Sequence, residues 1–222
     1  NFRPDPALMK KCLRLGIPFG AQGSLIAFSC VALQSIINRF GSDVIAAFTA
    51  TSRIEQLVQQ PYNSLATALA TFAAQNIGAG NQERVRRGFR KSTFLVIVFS
   101  VIMCGIMFLS GEAFVRLFVK DANVIAIGGR AIRITSLFYI PLGMIYITRS
   151  LLNGAGDSAF AFVSGLAEVV GRVGFSILLA GIPALGYWAV WYTTGLTWLI
   201  TGAACILRYL QGKWERIVLV EK

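Results

Sequence analysis

The chain has 222 residues, of which 55% are hydrophobic and only 14% are charged, and its mean hydropathy is +0.65. Soluble domains usually carry about 25% charged residues, so this composition excludes an ordinary water-soluble domain. The net charge of +11 does not indicate a nucleic-acid-binding protein, because the cations lie between long apolar runs and not along one polar face. Lipid is the solvent that fits this composition, and the bilayer is the first partner that we expect.

Six mainly apolar runs are long enough to cross the hydrocarbon core as helices, since a crossing needs roughly 20 residues. They cover residues 15–38, 44–77, 92–111, 134–153, 158–180 and 187–207. Helices are expected because lipid offers the backbone no hydrogen-bond partners. The sequence therefore predicts an all-α integral membrane bundle, a single lobe of six transmembrane helices that occupies residues 1–222.

The cations are distributed unevenly over the loops that join these spans. Fourteen lie at the two termini, in the loop between spans two and three and near the end of span four, where we count Arg149 with the loop that follows. Five lie in the alternate loops, namely Arg39, Arg116, Lys120, Arg130 and Arg133. Because positive charge stays on the cytoplasmic side, we expect a multi-pass protein of the cell membrane, in a bacterium, with both termini in the cytoplasm.

An amphipathic cytoplasmic segment is predicted at about residues 81–91, after a glycine turn at Gly78 and Gly80. Arg84, Arg87 and Lys91 recur there at steps of three and four residues, so one helix face would carry them against anionic headgroups. The turn has an echo later in the chain, since NIGAGNQ (76–82) resembles LNGAGDS (152–158). Internal repeats are common in transporters, and this echo suggests a two-helix repeat.

Polar residues mark the second span. Ser52, Gln56, Gln59 and Asn63 recur at steps of four, three and four, and so form one stripe that faces protein or water. A buried polar seam and the wall of a cavity both remain open as interpretations. Pro61 is a predicted kink within this span.

Charged residues inside the predicted spans are the candidate functional residues. Glu55 is the main one, since a carboxylate within a membrane usually marks the path of an ion or a substrate; a rim residue paired with a cation is the alternative. Arg53 is two residues away, hence on a different helix face. Glu168 and Arg172 are four residues apart and predict an intramembrane ion pair, either structural or involved in gating.

No enzyme motif is present: the sequence has no P-loop, GxSxG or HExxH motif, so no catalytic residues are predicted. The four cysteines are isolated in sequence and histidine is absent, so we expect no metal site and no cofactor, and we expect the thiols to be buried and inert. The chain begins at Asn1 without Met, from which we expect it to be part of a longer protein.

Four motifs resemble the multidrug and toxic compound extrusion (MATE) family over about residues 8–208. They are GIPFGAQGSL (16–25), SRIEQL (52–57), AQNIGAGNQERVRRG (74–88) and LLNGAGDS (151–158). The resemblance implies twelve helices in two six-helix lobes, of which this chain is similar to the C-terminal one. It also implies an N-terminal lobe of the same transporter as a partner.

The function that the resemblance implies is export of cationic or amphipathic organic compounds in exchange for H⁺ or Na⁺. Some members use an acidic residue in the first helix of this lobe, but that run here has only Gln22 and Gln34. Glu55 is then the main candidate for ion coupling. The substrate and ion-coupling candidates that we name are Glu55, Arg53, Gln22, Gln34, Gln56, Gln59 and Asn63.

Three other functions remain as alternatives. A lipid-linked sugar flippase of the same wider superfamily would need a cation-rich cleft, and the membrane interior offers only Arg53 and Arg172 once Arg149, near the end of span four, is counted with the loops. A membrane-embedded enzyme would need clustered Asp or His at one membrane face. A non-transporting membrane scaffold would show no efflux at all.

Overall fold

The computed structural model describes residues 5–216, so Arg3 and Lys222, two of the terminal cations, lie outside the described residues. Two short 3-10 helices, Gly186–Trp188 and Lys213–Arg216, precede and follow the last α-helix, and no strand occurs within residues 5–216. The predicted all-α class is confirmed. The α-helices are α1 (Pro6–Ile37), α2 (Ser42–Gly78), α3 (Gln82–Arg116), α4 (Ala122–Ser136), α5 (Tyr139–Gly154), α6 (Ser158–Ala180) and α7 (Ala189–Leu210).

The helices pack around α2, α5 and α7. Helix α2 packs on α3, α4 and α5; α7 packs on α5 and α6; and α1 packs mainly on α6. One apolar cluster, which includes Tyr62, Tyr139 and Trp198, joins α2, α3, α5 and α7. A second cluster, around Ile37 and Trp191, joins the end of α1 to the beginnings of α2, α4 and α7.

The outer surface of the bundle is apolar. Four helical segments among the described residues are long and apolar enough to cross a membrane, and the bent pair α4–α5 makes a fifth. Large side chains such as Phe94, Leu109 and Ile177 are exposed, as lipid-facing residues are. Helix α2 is not among these segments, because its first half carries the polar stripe. It runs without a break through Pro61.

The fourth predicted span differs from the structure. The chain is already helical from Ala122, and α4 and α5 are bent by 56° at the break between them. A proline within a helix clashes with the carbonyl four residues earlier, and Pro141 places that clash at Leu137, where α4 ends. Arg130 and Arg133, which we took as loop residues, lie on α4.

The two glycine motifs form the same turn. After α2, the N–H groups of residues 79, 80 and 81 bond to the carbonyls of residues 75, 77 and 76; after α5, residues 155, 156 and 157 repeat this pattern 76 positions later. Gly80 and Gly156 have φ of +73° and +81°, a conformation that favours glycine. The sequence echo is therefore a repeated helix–turn–helix junction.

Each of these junctions leads into a capped helix. The Asn81 side chain accepts a hydrogen bond from the backbone of Arg84, and the Asp157 side chain accepts one from Phe160. The amphipathic segment predicted at about residues 81–91 begins α3 and continues to Arg116, so it is not a separate helix.

Candidate functional site

A cavity of about 540 Å³ lies between α1, α2, α5, α6 and α7. Helix α2 supplies one wall, because residues three and four apart share a helix face. Aromatic and apolar residues of α5 and α7, among them Tyr146 and Trp198, line other parts of it. All four residues of the predicted stripe on α2 line this cavity, namely Ser52, Gln56, Gln59 and Asn63, and Glu55 lines it with them.

Glu55 lies on the cavity without full hydrogen bonding. Its Oε1 atom is buried and has no hydrogen-bond partner. The Thr135 side chain, next to the break between α4 and α5, is a neighbouring hydrogen-bonding group, and Arg172 attracts the carboxylate electrostatically. Since a buried carboxylate oxygen without a partner is costly, Glu55 is suited to bind a proton or a cation.

Neutral amides line the same cavity as Glu55. Tyr146 donates a hydrogen bond to Gln59 Oε1 at 2.9 Å, which holds that amide against α5. On α1, Gln34 lines the same cavity and donates to Asn38 at 3.1 Å. Gln56 and Asn63 complete a wall whose amides can both donate and accept hydrogen bonds.

Glu168 is neutralised by two arginines. Arg172 Nη2 lies 3.1 Å from Glu168 Oε1, and Arg149 Nη2, from α5, lies 2.9 Å from Glu168 Oε2. All three residues line the cavity. We counted Arg149 as a cytoplasmic loop cation because it lies near the end of its apolar run, but it is within α5 and its side chain is only 15% exposed. Its partner is 19 residues away on another helix, so no local spacing indicates the pair.

Gln22 does not line the cavity. It is buried between α1 and α6, where it donates to Ser164 Oγ at 2.6 Å and accepts from Asn153 Nδ2 at 3.4 Å. Gly165 lies against the Gln22 backbone, which allows the close approach of the two helices. The structure thus places Gln22 at a helix–helix contact and not at the candidate site.

Arg53 is also absent from the cavity. It is exposed on the outer face of α2, because a step of two residues from Glu55 turns it away from the cavity.

The prediction that the cysteines are buried was wrong in part: Cys12 and Cys30 are exposed, and Cys205 is buried. Cys30 is one of the residues that line the cavity, where a weakly polar thiol is tolerated beside apolar and polar neighbours.

The family model named MatE matches residues 18–178, which is more than half of the chain. The chain belongs to the MatE family. The resemblance seen in the sequence motifs is therefore confirmed.

Curated relatives of this MatE chain are mostly named as resistance proteins. "Probable multidrug resistance protein YpnP" of Bacillus subtilis is 28% identical over 208 residues, which cover 93% of this chain and 46% of that protein. "Probable multidrug resistance protein NorM" of Thermotoga maritima is 23% identical over 96% of this chain and 46% of its own length. A "FAD transporter" of Shewanella oneidensis is 24% identical over 78% of this chain and 38% of its own length.

Solved structures show the same fold. An outward-facing multidrug resistance MATE family transporter of the MOP superfamily superimposes with a TM-score of 0.88 at 19% identity, covering 98% of this chain and 49% of that one. A MOP superfamily transporter from Pyrococcus furiosus superimposes with a TM-score of 0.87, covering 98% of this chain and 49% of that one. The chain spans about half the length of the relatives that it matches, and it is a multi-pass membrane protein of the MatE family.

Proposed function

We propose that this chain forms one half of a secondary antiporter that exports cationic or amphipathic organic compounds in exchange for H⁺ or Na⁺. Membership in the MatE family and the names of the relatives support export of organic compounds. The observation that carries the proposal is the Glu55 carboxylate, which has an unpartnered oxygen in a cavity whose other carboxylate is already neutralised.

The charge of Glu55 provides the coupling. An ionised Glu55 with an unpartnered oxygen attracts a positive charge at close range, and either a coupling ion or a cationic substrate can supply it. Both neutralise the same group, so the binding of one favours release of the other. Glu168 does not serve this purpose, because Arg149 and Arg172 already pair with it.

The rest of the cavity supports binding of varied organic compounds. Gln34, Gln56, Gln59 and Asn63 offer neutral hydrogen bonds, while Phe48 and Trp198 offer aromatic faces to a cation. Arg53 takes no part, since it faces away from the cavity. A volume of about 540 Å³ is within the range of sites for drug-sized ligands.

A second lobe of similar size completes the transporter in this proposal. The chain covers about half of each relative, and alternating access in such transporters comes from one lobe moving against the other. The cavity described above would be the contribution of this lobe to the substrate path.

Replacement of Glu55 by glutamine in the full-length protein tests the proposal, because it removes the charge and keeps the shape. We expect efflux of a fluorescent organic cation, rhodamine 123, to fall by about tenfold or more, as follows from loss of an interaction worth at least about 1.4 kcal/mol. Efflux is measured in cells, with and without dissipation of the H⁺ and Na⁺ gradients.

Glu83→Gln is the matched control, because Glu83 pairs with Arg87 on the exposed start of α3, away from the cavity. Exposed ion pairs contribute little, so this variant retains efflux. Unchanged efflux in Glu55→Gln would remove the coupling role, and no efflux from the unmodified full-length protein would favour a membrane scaffold.

A further inference from the structure

The ion cluster of Arg149, Glu168 and Arg172 carries more positive than negative charge. Two guanidinium groups from different helices share one carboxylate, at 2.9 Å and 3.1 Å. The exposed fractions of the three side chains are 15%, 7% and 8% in the order named, so the cluster is almost completely removed from solvent. The two arginines exceed the charge of Glu168 by one, and Glu55, which Arg172 attracts within the same cavity, offsets that excess only while it is ionised.

The arginines also keep unused hydrogen-bond donors. Each arginine donates a hydrogen bond from Nη2 to Glu168, and the Nε atoms of both are buried without a hydrogen-bond partner. An unpartnered donor on a buried cation is costly, which makes the site attractive to an acceptor that carries negative charge. Arginine is the side chain best suited to carboxylate and phosphate groups, because its donors form a planar fork.

We propose that Arg149 and Arg172 bind an anionic group of the substrate, a carboxylate or a phosphate, so that this cavity accepts organic compounds that carry an acidic group. The proposal rests on the transport function proposed above and adds a second binding point to it. A zwitterionic compound places its cationic end at Glu55 and its acidic end at the arginine pair. Both points lie on the same cavity, whose volume of about 540 Å³ accommodates such a molecule.

The charge of Glu55 then has opposite effects on the two ends of a substrate. The four charged residues that line the cavity balance when Glu55 is ionised, and one excess positive charge remains when it is neutral. Glu55→Gln is therefore expected to strengthen the binding of an anionic group while it weakens the binding of a cation. A purely structural role of the arginines predicts no such strengthening.

Two dyes that differ by one methyl ester provide the probes. Rhodamine 110 carries a free carboxylate, and rhodamine 123 is its methyl ester. Binding of each is measured by fluorescence anisotropy to the full-length protein in phosphatidylcholine nanodiscs. We expect Arg172→Gln to weaken the binding of rhodamine 110 by about tenfold, as for loss of one charge-assisted hydrogen bond, and to leave that of rhodamine 123 unchanged or tighter.

Arg172→Gln is expected to fold, because Arg149 still pairs with Glu168 in that variant. Arg149→Gln is the second variant, in which Arg172 keeps the pair, and Arg172→Lys should restore part of the affinity. Arg133→Gln is the control, since Arg133 pairs with Glu112 outside the cavity. Size-exclusion chromatography verifies that each variant is folded.

The outcomes separate this inference from the proposed function. If Glu55→Gln weakens rhodamine 123 binding but neither arginine variant changes the ratio between the two dyes, the anion site is overturned and the transport proposal stands. If wild-type protein binds neither dye, both the anion site and the proposed transport function are overturned. Loss of rhodamine 110 affinity in both arginine variants, with a gain in Glu55→Gln, supports the anion site.

An anionic lipid headgroup could occupy the same site, and a second nanodisc composition distinguishes the two sources. In nanodiscs that contain phosphatidylglycerol, rhodamine 110 should bind wild-type protein as it does in phosphatidylcholine. If phosphatidylglycerol abolishes that binding in the wild type, a lipid headgroup is the occupant and the assignment to substrate is overturned.

Discussion

Asp157 and Arg208 form a second buried ion pair, at the junction of α5, α6 and α7. Arg208 donates from Nε and Nη2 to the two carboxylate oxygens at 2.7 Å and 3.0 Å, while the carboxylate side chain is only 3% exposed. Asp157 also caps α6 through the backbone of Phe160. The Asp157 side chain thus binds the end of α7 and caps the start of α6.

Two substitutions at Asp157 separate these roles. Asp157→Asn keeps a capping oxygen and leaves Arg208 unpaired, so the free energy of unfolding should fall by about 3 kcal/mol. Asp157→Ala loses the cap as well, which should cost about 1 kcal/mol more. Unfolding is followed by circular dichroism in mixed micelles.

Glu112→Gln is the comparison for Asp157, because its ion pair with Arg133 is 41–42% exposed and should contribute less than about 1 kcal/mol. Equal losses in Asp157→Asn and Glu112→Gln would contradict the importance of burial for the Asp157 pair.

Residues of the candidate site differ in how well the sequence predicts them. The stripe of α2 was predictable because every member lies on one helix face, and helical spacing alone brings Gln56, Gln59 and Asn63 to one cavity. The place of Arg149 at the site was not predictable, because its partner Glu168 lies on another helix. Gln22 was placed at the site by residue type, which does not reveal the Ser164 partner that removes it from the cavity.

At the scale of the helices, close packing depends on a small residue at the end of α5. A Cβ atom on Gly154 would clash with the backbone carbonyl of Ala70 in α2, so one of the two helices would have to shift. A Cβ atom on Gly105 in α3 would meet nothing within 4 Å. The two glycines therefore make a matched pair for substitution.

Gly154→Ala should destabilise the bundle by about 1–3 kcal/mol, as overpacking does, because the obstacle is backbone and not a flexible side chain. Gly105→Ala should leave stability unchanged or raise it slightly, since alanine favours the helix. Unfolding in mixed micelles measures both. A loss in Gly105→Ala as large as that in Gly154→Ala would contradict the packing argument.

The length of each apolar run was enough to predict that a helix forms, but it did not predict where a helix breaks. The runs at 92–111 and 158–180 lie within α3 and α6, because a long uncharged segment has few alternatives in lipid. The bend between α4 and α5 was missed because the arginines at 130 and 133 resemble loop residues in composition. Pro141 was the available signal, through its clash with the carbonyl of Leu137.

At the scale of the whole molecule, the orientation in the membrane remains a prediction from charge. The excess of Lys and Arg in the predicted cytoplasmic segments persists after Arg149 is no longer counted there. The loop between α2 and α3 and the start of α3 carry the larger cation cluster. The junction at Ala79 should then face the cytoplasm, and the loop at Lys120 should face outward.

Single cysteines test this orientation. Ala79 and Lys120 are both exposed, so each can be replaced by cysteine after the four native cysteines are removed. A membrane-impermeant maleimide added to intact cells should label Lys120→Cys, and Ala79→Cys only after the membrane is permeabilised. The reverse pattern would invert the orientation of the entire lobe.

The polar first half of α2 has a consequence for biogenesis. Helix α2 is not apolar enough to enter the bilayer on its own composition, and its partner α5 begins at Tyr139, more than sixty residues after α2 ends at Gly78. When α2 leaves the ribosome, the cavity walls from α5, α6 and α7 have not yet been synthesised, so its polar side chains are uncovered on that side. We therefore expect the insertion machinery to retain α2 at the translocation channel until later helices have been synthesised.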